Sequence, residues 1–440
     1  MNNTPRQEVL EIFSAAVARV QPYQLVTEFL KHDLSFQQKL AKSKRVLVVG
    51  GGKAGVGMAH ATADFFADKH IECIGIVNIP GNLATRSGNI ILHPGRPEGS
   101  NFPTAAGVAG AEQMIQLFQD AQPGDLGICL LSGGGSALLP APHGATLEQK
   151  LQLTKALQQS GCTIQEMNAV RKHFSRIKGG RLAQAFRGDI FFSLVISDVV
   201  GDPLDVIASG PTAADNTTFA DAIAVIKRYR LWELLPPDMQ EHLRAGEQGK
   251  IPETLKTDPP DGLHKILGSN HFALGAAAMK AEVMGYRVLN LGSYFEGEAE
   301  HVARTVAAVV KSVLKHVVPV APPCCILFGG ETTVTLPPNH GKGGRNQELC
   351  LHLLSHFNNE EWHRLTILCA GTDGEDGPTD AAGAVADLTV FQTAHQLHLK
   401  INQFQAEHDA YHFWEQTEGL VKTGLTGTNV MDIGVVLIQA

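Results

Sequence analysis

Cations set among glycines are the residues here with the clearest chemistry. Lys53 stands in Gly50-Gly51-Gly52-Lys53-Ala54-Gly55, and Arg345 follows Gly341-Lys342-Gly343-Gly344 and precedes Asn346. Glycine lets backbone N–H groups approach an anion closely, and a neighbouring ammonium or guanidinium adds charge to that cradle. A third loop, Ser132-Gly133-Gly134-Gly135-Ser136, offers hydroxyl donors as well and can hold a phosphate or carboxylate. A fourth runs Gly329-Gly330-Glu331-Thr332-Thr333. Carboxylates gather in two further loops, Asp198, Asp202 and Asp205 in one and Asp373, Glu375 and Asp376 in the other. Such groups suit Mg²⁺ or a general base, with Asp198 the candidate base and Asp202, Asp373 and Asp376 the candidate metal ligands; turn and capping aspartates look the same in sequence. The densest basic stretch holds Arg171, Lys172, His173, Arg176, Lys178 and Arg181, either a solvated helix face or an anion-binding one.

These loops need strands behind them. Apolar runs at 46–49, 126–131, 190–196, 325–328 and 367–370 each end in one of the loops, as buried strands do. In open α/β sheets, ligands bind beyond the carboxyl ends of the strands. Gly50, Gly52 and Gly55 satisfy G-x-G-x-x-G, but the following strand, 71–79, carries Asn78 where a ribose-binding acid would stand. Nor is it a Walker A loop, because Ala54 follows Lys53. Helices are predicted over 8–30, packing on the first domain, and over 103–118, with a stiff loop His93–Glu98 before the second. Capping boxes at Thr146/Gln149 and Thr163/Glu166 open two more, the latter carrying the basic stretch. Arg345 opens a helix, where its charge opposes the dipole unless an anion compensates. The polar segment 241–262 reads as a linker, dividing a domain over 1–245 from one over 262–440 that opens with a strand at 265–267.

At 440 residues the chain exceeds what one core usually supports. A formal net charge of -8 argues against general nucleic-acid or membrane binding, so anion sites must be local. Seven cysteines without a CxxC pair suggest neither zinc nor a disulfide framework, and a reducing compartment fits. The polar N-terminus lacks a signal-peptide pattern, and the apolar stretch 302–318 is broken by Arg304, Lys311 and Lys315. The expectation is a cytoplasmic protein.

GGGKAG, LLSGGGSALLPAP, VRKHFSRIKGGRLA, SDVVGDPLDVIASGPT, FGGETTVTL with GKGGRNQE, AGTDGEDGPTD and TGTNVMD follow in this order. The pattern resembles the class II glycerate 2-kinases, whose C-terminal part carries a leucine-rich module found in many organisms. The resemblance implies ATP-dependent phosphorylation of D-glycerate to 2-phosphoglycerate. It implies an N-terminal Rossmann-like, mostly parallel sheet flanked by helices, and a smaller C-terminal α/β domain, with the active site in the cleft between them. Its catalytic cations map onto Lys53 and Arg345. Loop residues Ser132, Gly133, Gly134, Gly135, Ser136, Gly330, Glu331, Thr332, Gly343, Gly344 and Asn346, with Arg171 and Lys172, are then the candidate substrate and phosphate binders. ATP and Mg²⁺ are the expected cofactors, with a homodimer among the oligomeric options. Some relatives carry the label hydroxypyruvate reductase, so an NAD(P)-dependent reductase is the alternative, and a non-catalytic sugar-acid or nucleotide sensor is a third reading.

Overall fold

The protein, analysed as a computed structural model, is described at residues 4–97, 99–100, 102–259 and 262–440. Glu98 of the stiff loop and residues 260–261 of the expected linker lie outside these. The chain forms two compact units, a central one over Pro22–Leu267 and a terminal one made of Met1–Gln21 with Gly268–Ala440.

In the central unit the strands are β1 (Arg45–Gly51), β2 (Glu72–Pro80), β3 (Thr85–Ser87), β4 (Ile90–Arg96), β5 (Asp125–Leu131), β6 (Ile190–Ile196) and β7 (Gly262–Gly268). They lie in the order β3-β4-β2-β1-β5-β6-β7. β1 pairs in parallel with both β2 and β5, β2 with β4 and β5 with β6; β3 is antiparallel to β4. β5 and β6 are buried along their whole length, which is why they read as unbroken apolar runs. From β1 the chain builds outward to β2 and β4, then returns through the helix Ala105–Gln119 to β5 on the other side of β1. The strand order therefore reverses between β1 and β5, the kind of switch point at which open α/β sheets bind ligands. Leu47, Val49, Cys129 and Leu131 pack beneath it against Met114, Ile115 and Phe118 of that helix.

The terminal unit carries β8 (Arg287–Asn290), β9 (Phe295–Glu298), β10 (Cys324–Thr333), β11 (Leu365–Gly371), β12 (Gly383–Ala386), β13 (Leu420–Val421) and β14 (Asp432–Ile438). Their order is β13-β12-β11-β14-β10-β8, with β9 beside the second half of β10. β14 runs antiparallel between β10 and β11, so their carboxyl ends and its start share one edge. Val302, Val306 and Val310 of the helix Ala299–His316 recur at helical spacing and pack, with Leu349 and Leu353, onto Ile326, Ile367 and Val436.

Several expectations change. The helix predicted over 8–30 is two, Pro5–Arg19 and Pro22–His32, broken where Pro22 cannot continue the hydrogen-bonded ladder. The first belongs to the terminal unit: Val9, Ile12, Phe13 and Ala16 are buried, Glu11 pairs with Lys280 at 2.9 Å, and Glu8 accepts from Tyr286. The strand expected to open a second domain is β7, which joins the central sheet beside β6. The polar segment 241–259 is not a spacer between the units either. Part of it is the helix Pro237–Glu247, and Leu255 bonds both Gly179 and Asp215 within the central unit. Gly329–Thr333 is strand rather than loop, since β10 continues through the glycines to pair with β9. Both capping boxes form, but the helix after Thr163 ends at His173, so Arg176 and Lys178 lie beyond it and Arg181 opens a short separate helix.

Candidate active site

The carboxyl edge of the central sheet gathers residues from four strands. Arg96 closes β4, Lys53 follows β1, Ser132–Ser136 follow β5 and Asp198 follows β6. The β1 and β5 loops are tied together: Lys53 N donates to the Gly133 carbonyl at 2.7 Å, and Ala54 N donates to Ser132 Oγ at 3.1 Å. A side chain on Gly133 would stand 2.2 Å from Asp198 Oδ2, so only glycine lets that carboxylate lie against the loop. Gly134 is left-handed at φ 74°, and a Cβ there would point between Arg96 Nη2 at 3.1 Å and Lys53 Cγ at 3.4 Å. The helix Gly55–Ala67 starts directly after Lys53, adding its positive end to the same edge. Lys53, Asp198 and the whole Ser132–Ser136 loop therefore converge, whereas Asp202 sits on a left-handed turn at φ 56° without a described contact to them.

The basic stretch is neither a solvated face nor a row of waiting anion binders. Lys172 is buried and pairs with Asp215 at 3.0 Å and Asp205 at 3.3 Å, which corrects its reading as a substrate ligand. Arg171 is half-buried; its charge, after burial, helps to push Lys150 down to about 7.

At the shared edge of the terminal sheet, Arg345 is the first residue of the helix Arg345–Ser355. Its Nε and Nη2 meet Asp432 Oδ2 and Oδ1 at 2.6 and 3.1 Å, and its Nη1 meets Glu331 Oε1 at 2.6 Å. Burial opposes the charge on Arg345, but the two carboxylates outweigh it and raise the pKa. Glu331 thus holds the arginine directly. Asp376 is not a metal ligand in this arrangement: its carboxylate accepts from Asn346 N at 3.0 Å, Gln347 N at 2.8 Å and Asn346 Nδ2 at 3.2 Å, capping the helix. The charge that offsets a cation at this helix start is thus the protein's own. Gly344 is required by that cap, since a Cβ would fall 2.3 Å from the Asp376 backbone, while a Cβ on Gly343 would make only ordinary contact with Ala410 at 3.4 Å. Gly330 and Thr332 lie buried in β10.

Asp373 fits a hard cation better. A side chain at Gly371 would meet the Glu375 carbonyl at 3.0 Å, Asp373 Oδ1 at 3.2 Å and Asp432 Oδ1 at 3.5 Å, so three oxygens line one small space. Among the described residues no three His, Cys, Asp or Glu side chains form a metal-holding group.

Asp432 and Arg96 were not singled out from sequence. Asp432 ends TGTNVMD, but nothing near it in the sequence ties it to Arg345; Arg96 sits in a proline-flanked loop that looked merely stiff. All seven cysteines are free thiols, and no described helix is long and apolar enough to cross a membrane.

Residues 8–244 match the family described as domain of unknown function DUF4147, and residues 324–432 match the MOFRL family. A separate leucine-rich module finds no further support. The glycerate 2-kinase of Pyrococcus horikoshii is 34% identical over 440 residues, covering 99% of this chain and 98% of its own. Human glycerate kinase is 34% identical, covering 98% and 93%. A protein of Agrobacterium vitis provisionally named hydroxypyruvate reductase is 38% identical, covering 98% and 94%. The crystal structure of glycerate kinase from Thermotoga maritima superposes with a TM-score of 0.86 at 32% identity, covering 98% of this chain and 99% of that one. With one family model spanning more than half of its length and full-length relatives above 30% identity, this chain belongs to the glycerate kinase family.

Proposed function

We propose that this protein transfers the γ-phosphoryl group of ATP to the 2-hydroxyl of D-glycerate, with Mg²⁺, giving 2-phosphoglycerate. The observation that carries this reading is the loop set at the sheet's switch point, where Lys53, Arg96, Asp198 and the Ser132–Ser136 backbone meet. Phosphoryl transfer depends on positioning and charge neutralisation more than on a covalent nucleophile, and this inventory supplies both. Asp198 is suited to accept the proton of the attacking hydroxyl, held where Gly133 leaves space for it. Lys53 faces developing negative charge from a short, fixed turn. Arg345, clamped by Asp432 and Glu331, offers a guanidinium whose orientation is set before any reactant arrives. Mg²⁺, held in part by Asp373, would neutralise phosphate charge.

NAD(P)-dependent reduction of hydroxypyruvate is supported by the names of two Agrobacterium vitis relatives. Against it, Asn78, at the position where a ribose-binding acid would stand, is buried and its amide is spent on the Gly107 and Leu138 carbonyls at 3.0 and 2.6 Å. One assay separates the two. Purified protein with ATP, Mg²⁺ and D-glycerate should yield ADP and a product whose phosphorus couples to the C2 proton in NMR. NADPH oxidation with hydroxypyruvate and no ADP formation would overturn the kinase reading. Asp373→Asn should raise the Mg²⁺ concentration needed for half-maximal rate at least tenfold, and an unchanged metal titration would remove Asp373 from the site.

A further inference from the structure

Lys178 is 1% exposed, and its ammonium touches only neutral oxygens. Nζ lies 3.1 Å from the Ser136 carbonyl, 3.3 Å from Ser136 Oγ, 3.2 Å from the Ala208 carbonyl and 3.3 Å from Ser209 Oγ. Among the described residues no carboxylate pairs with it. The charged groups that face it are Lys150 from the helix Leu147–Gln159 and Arg171 and Lys172 from the helix Ile164–His173. Among the described residues, Lys172 alone of these has its charge met by carboxylates, Asp205 and Asp215. Burial first, and these cations second, lower the proton affinity of Lys178 well below that of an ordinary lysine. A buried ammonium without a counter-ion is costly, so such a residue is kept for what it arranges.

What it arranges is a strained junction. Ala208 and Ser209 both take positive φ, 52° and 62°, as does Gly210 at 60°. Opposite them Gly179 and Gly180 are left-handed too, and they donate to the Ser209 and Gly210 carbonyls at 3.1 and 2.7 Å. Non-glycine residues in this region store strain that the surroundings must hold in place. Ser209 Oγ donates to Asn168 Oδ1 at 3.2 Å and lies 2.8 Å from Ser136 Oγ. With the Ser209 proton given to Asn168 and Lys178 donating into both serine oxygens, Ser136 is the donor in its bond to Ser209, which ties the glycine loop to the turn.

We propose that Lys178 is a positioning residue for the reaction: it pins the Ser136 hydroxyl and the glycine loop to the strained 208–210 turn, so that the loop is set to receive the anionic group of a reactant. This rests on reading that loop as the reactant-binding loop of a glycerate kinase.

The test is a cycle of Lys178→Met, Ser136→Ala and the double variant, each measured for kcat, for the KM of D-glycerate and of ATP, and for melting temperature. The same cycle is read in binding, as the melting-temperature shift produced by inorganic phosphate. Lys178→Met should lower kcat/KM on the order of 10²-fold, with the KM of one reactant rising and that of the other changing less than threefold. The double variant should lose little more than the worse single one, because Lys178 acts through Ser136. Lys178→Arg, which keeps the charge but not the compact ammonium, should restore only part of the loss. Losses that add in full, or kinetics of Lys178→Met close to wild type, would overturn the proposal. If Lys178→Met does not fold, the cycle of Lys178→Arg with Ser136→Ala decides by the same criterion. A wild type without glycerate kinase activity sinks the proposed function, yet non-additive phosphate binding would still uphold the role of Lys178.

Discussion

Arg345 is already held by two carboxylates, and this shapes what its substitution should do. If Lys53 and Arg345 stabilise charge mainly in the transition state, Lys53→Ala and Arg345→Ala should each lower kcat and kcat/KM together. A loss on the order of 10³-fold, or about 4 kcal/mol, is expected by comparison with other phosphoryl-transfer cations. Arg345→Lys should recover little, because an ammonium cannot span both oxygens of Asp432 as the guanidinium does. Steady-state kinetics beside thermal melts check this: a raised KM at unchanged kcat would make both residues substrate holders only. At this scale the sequence was informative about the cations and less so about their partners. Glycine flanks advertise a functional cation locally. The bond from Arg345 to Asp432 spans 87 positions and leaves no local trace. Lys172 misled for the same reason: its acid partners Asp205 and Asp215 lie 33 and 43 positions away, so one half of a buried ion pair read as a cation for substrate or phosphate.

Among the elements, the helix Arg345–Ser355 concentrates the unusual electrostatics of the terminal unit. Asp376 caps its start, and one turn in stands Glu348, 3% exposed, with neither carboxyl oxygen hydrogen-bonded to a described group, though His408 Nδ1 lies 3.5 Å from one oxygen and His352 Nε2 3.7 Å from the other. Burial, then the charges of Asp376 and Asp409, push Glu348 up to about 8. The native state therefore keeps a proton that the unfolded chain releases near 4.5. This group favours folding least at high pH: stability falls as pH rises from about 4.5 to about 8 and stays lower above that. At about 1.4 kcal/mol for each unit of displacement the limiting effect is several kcal/mol, reduced in practice by relaxation around the charge. Glu348→Gln should melt close to wild type near pH 5 and progressively higher than wild type toward pH 8.5. A difference in melting temperature that does not change with pH would remove Glu348 as the source. Element type and capping were readable from sequence, as the boxes at Thr146 and Thr163 show. The extent of β10 was not, because glycines that elsewhere end a strand here let β9 approach: a Cβ on Gly330 would lie 2.2 Å from the Phe295 carbonyl oxygen.

For the molecule as a whole, the decisive fact is that the central unit is an insertion. The chain begins in the terminal unit, leaves it after Gln21 and re-enters at Gly268. A reading that assigns domains in chain order cannot detect this, because the first helix carries the same apolar stripe whichever unit it covers. The pairing of that helix with the terminal unit makes a strong prediction about fragments. Val9, Ile12, Phe13 and Ala16 are at most 2% exposed. Burying such side chains stabilises by about 1.5–3 kcal/mol for each large one, so the helix contributes on the order of 5 kcal/mol or more before entropy is counted. That is comparable with the whole net stability of a typical domain. Residues 268–440 expressed alone should therefore be insoluble or lack a cooperative melt, whereas residues 22–267 alone should fold. Joining residues 1–21 to residues 268–440 through a flexible glycine-serine linker should restore a cooperative transition. Val9→Asp in that joined chain should abolish it again, since the aspartate would be buried without a partner. A stable, cooperative fragment 268–440 lacking the helix would show that the unit's core closes without it.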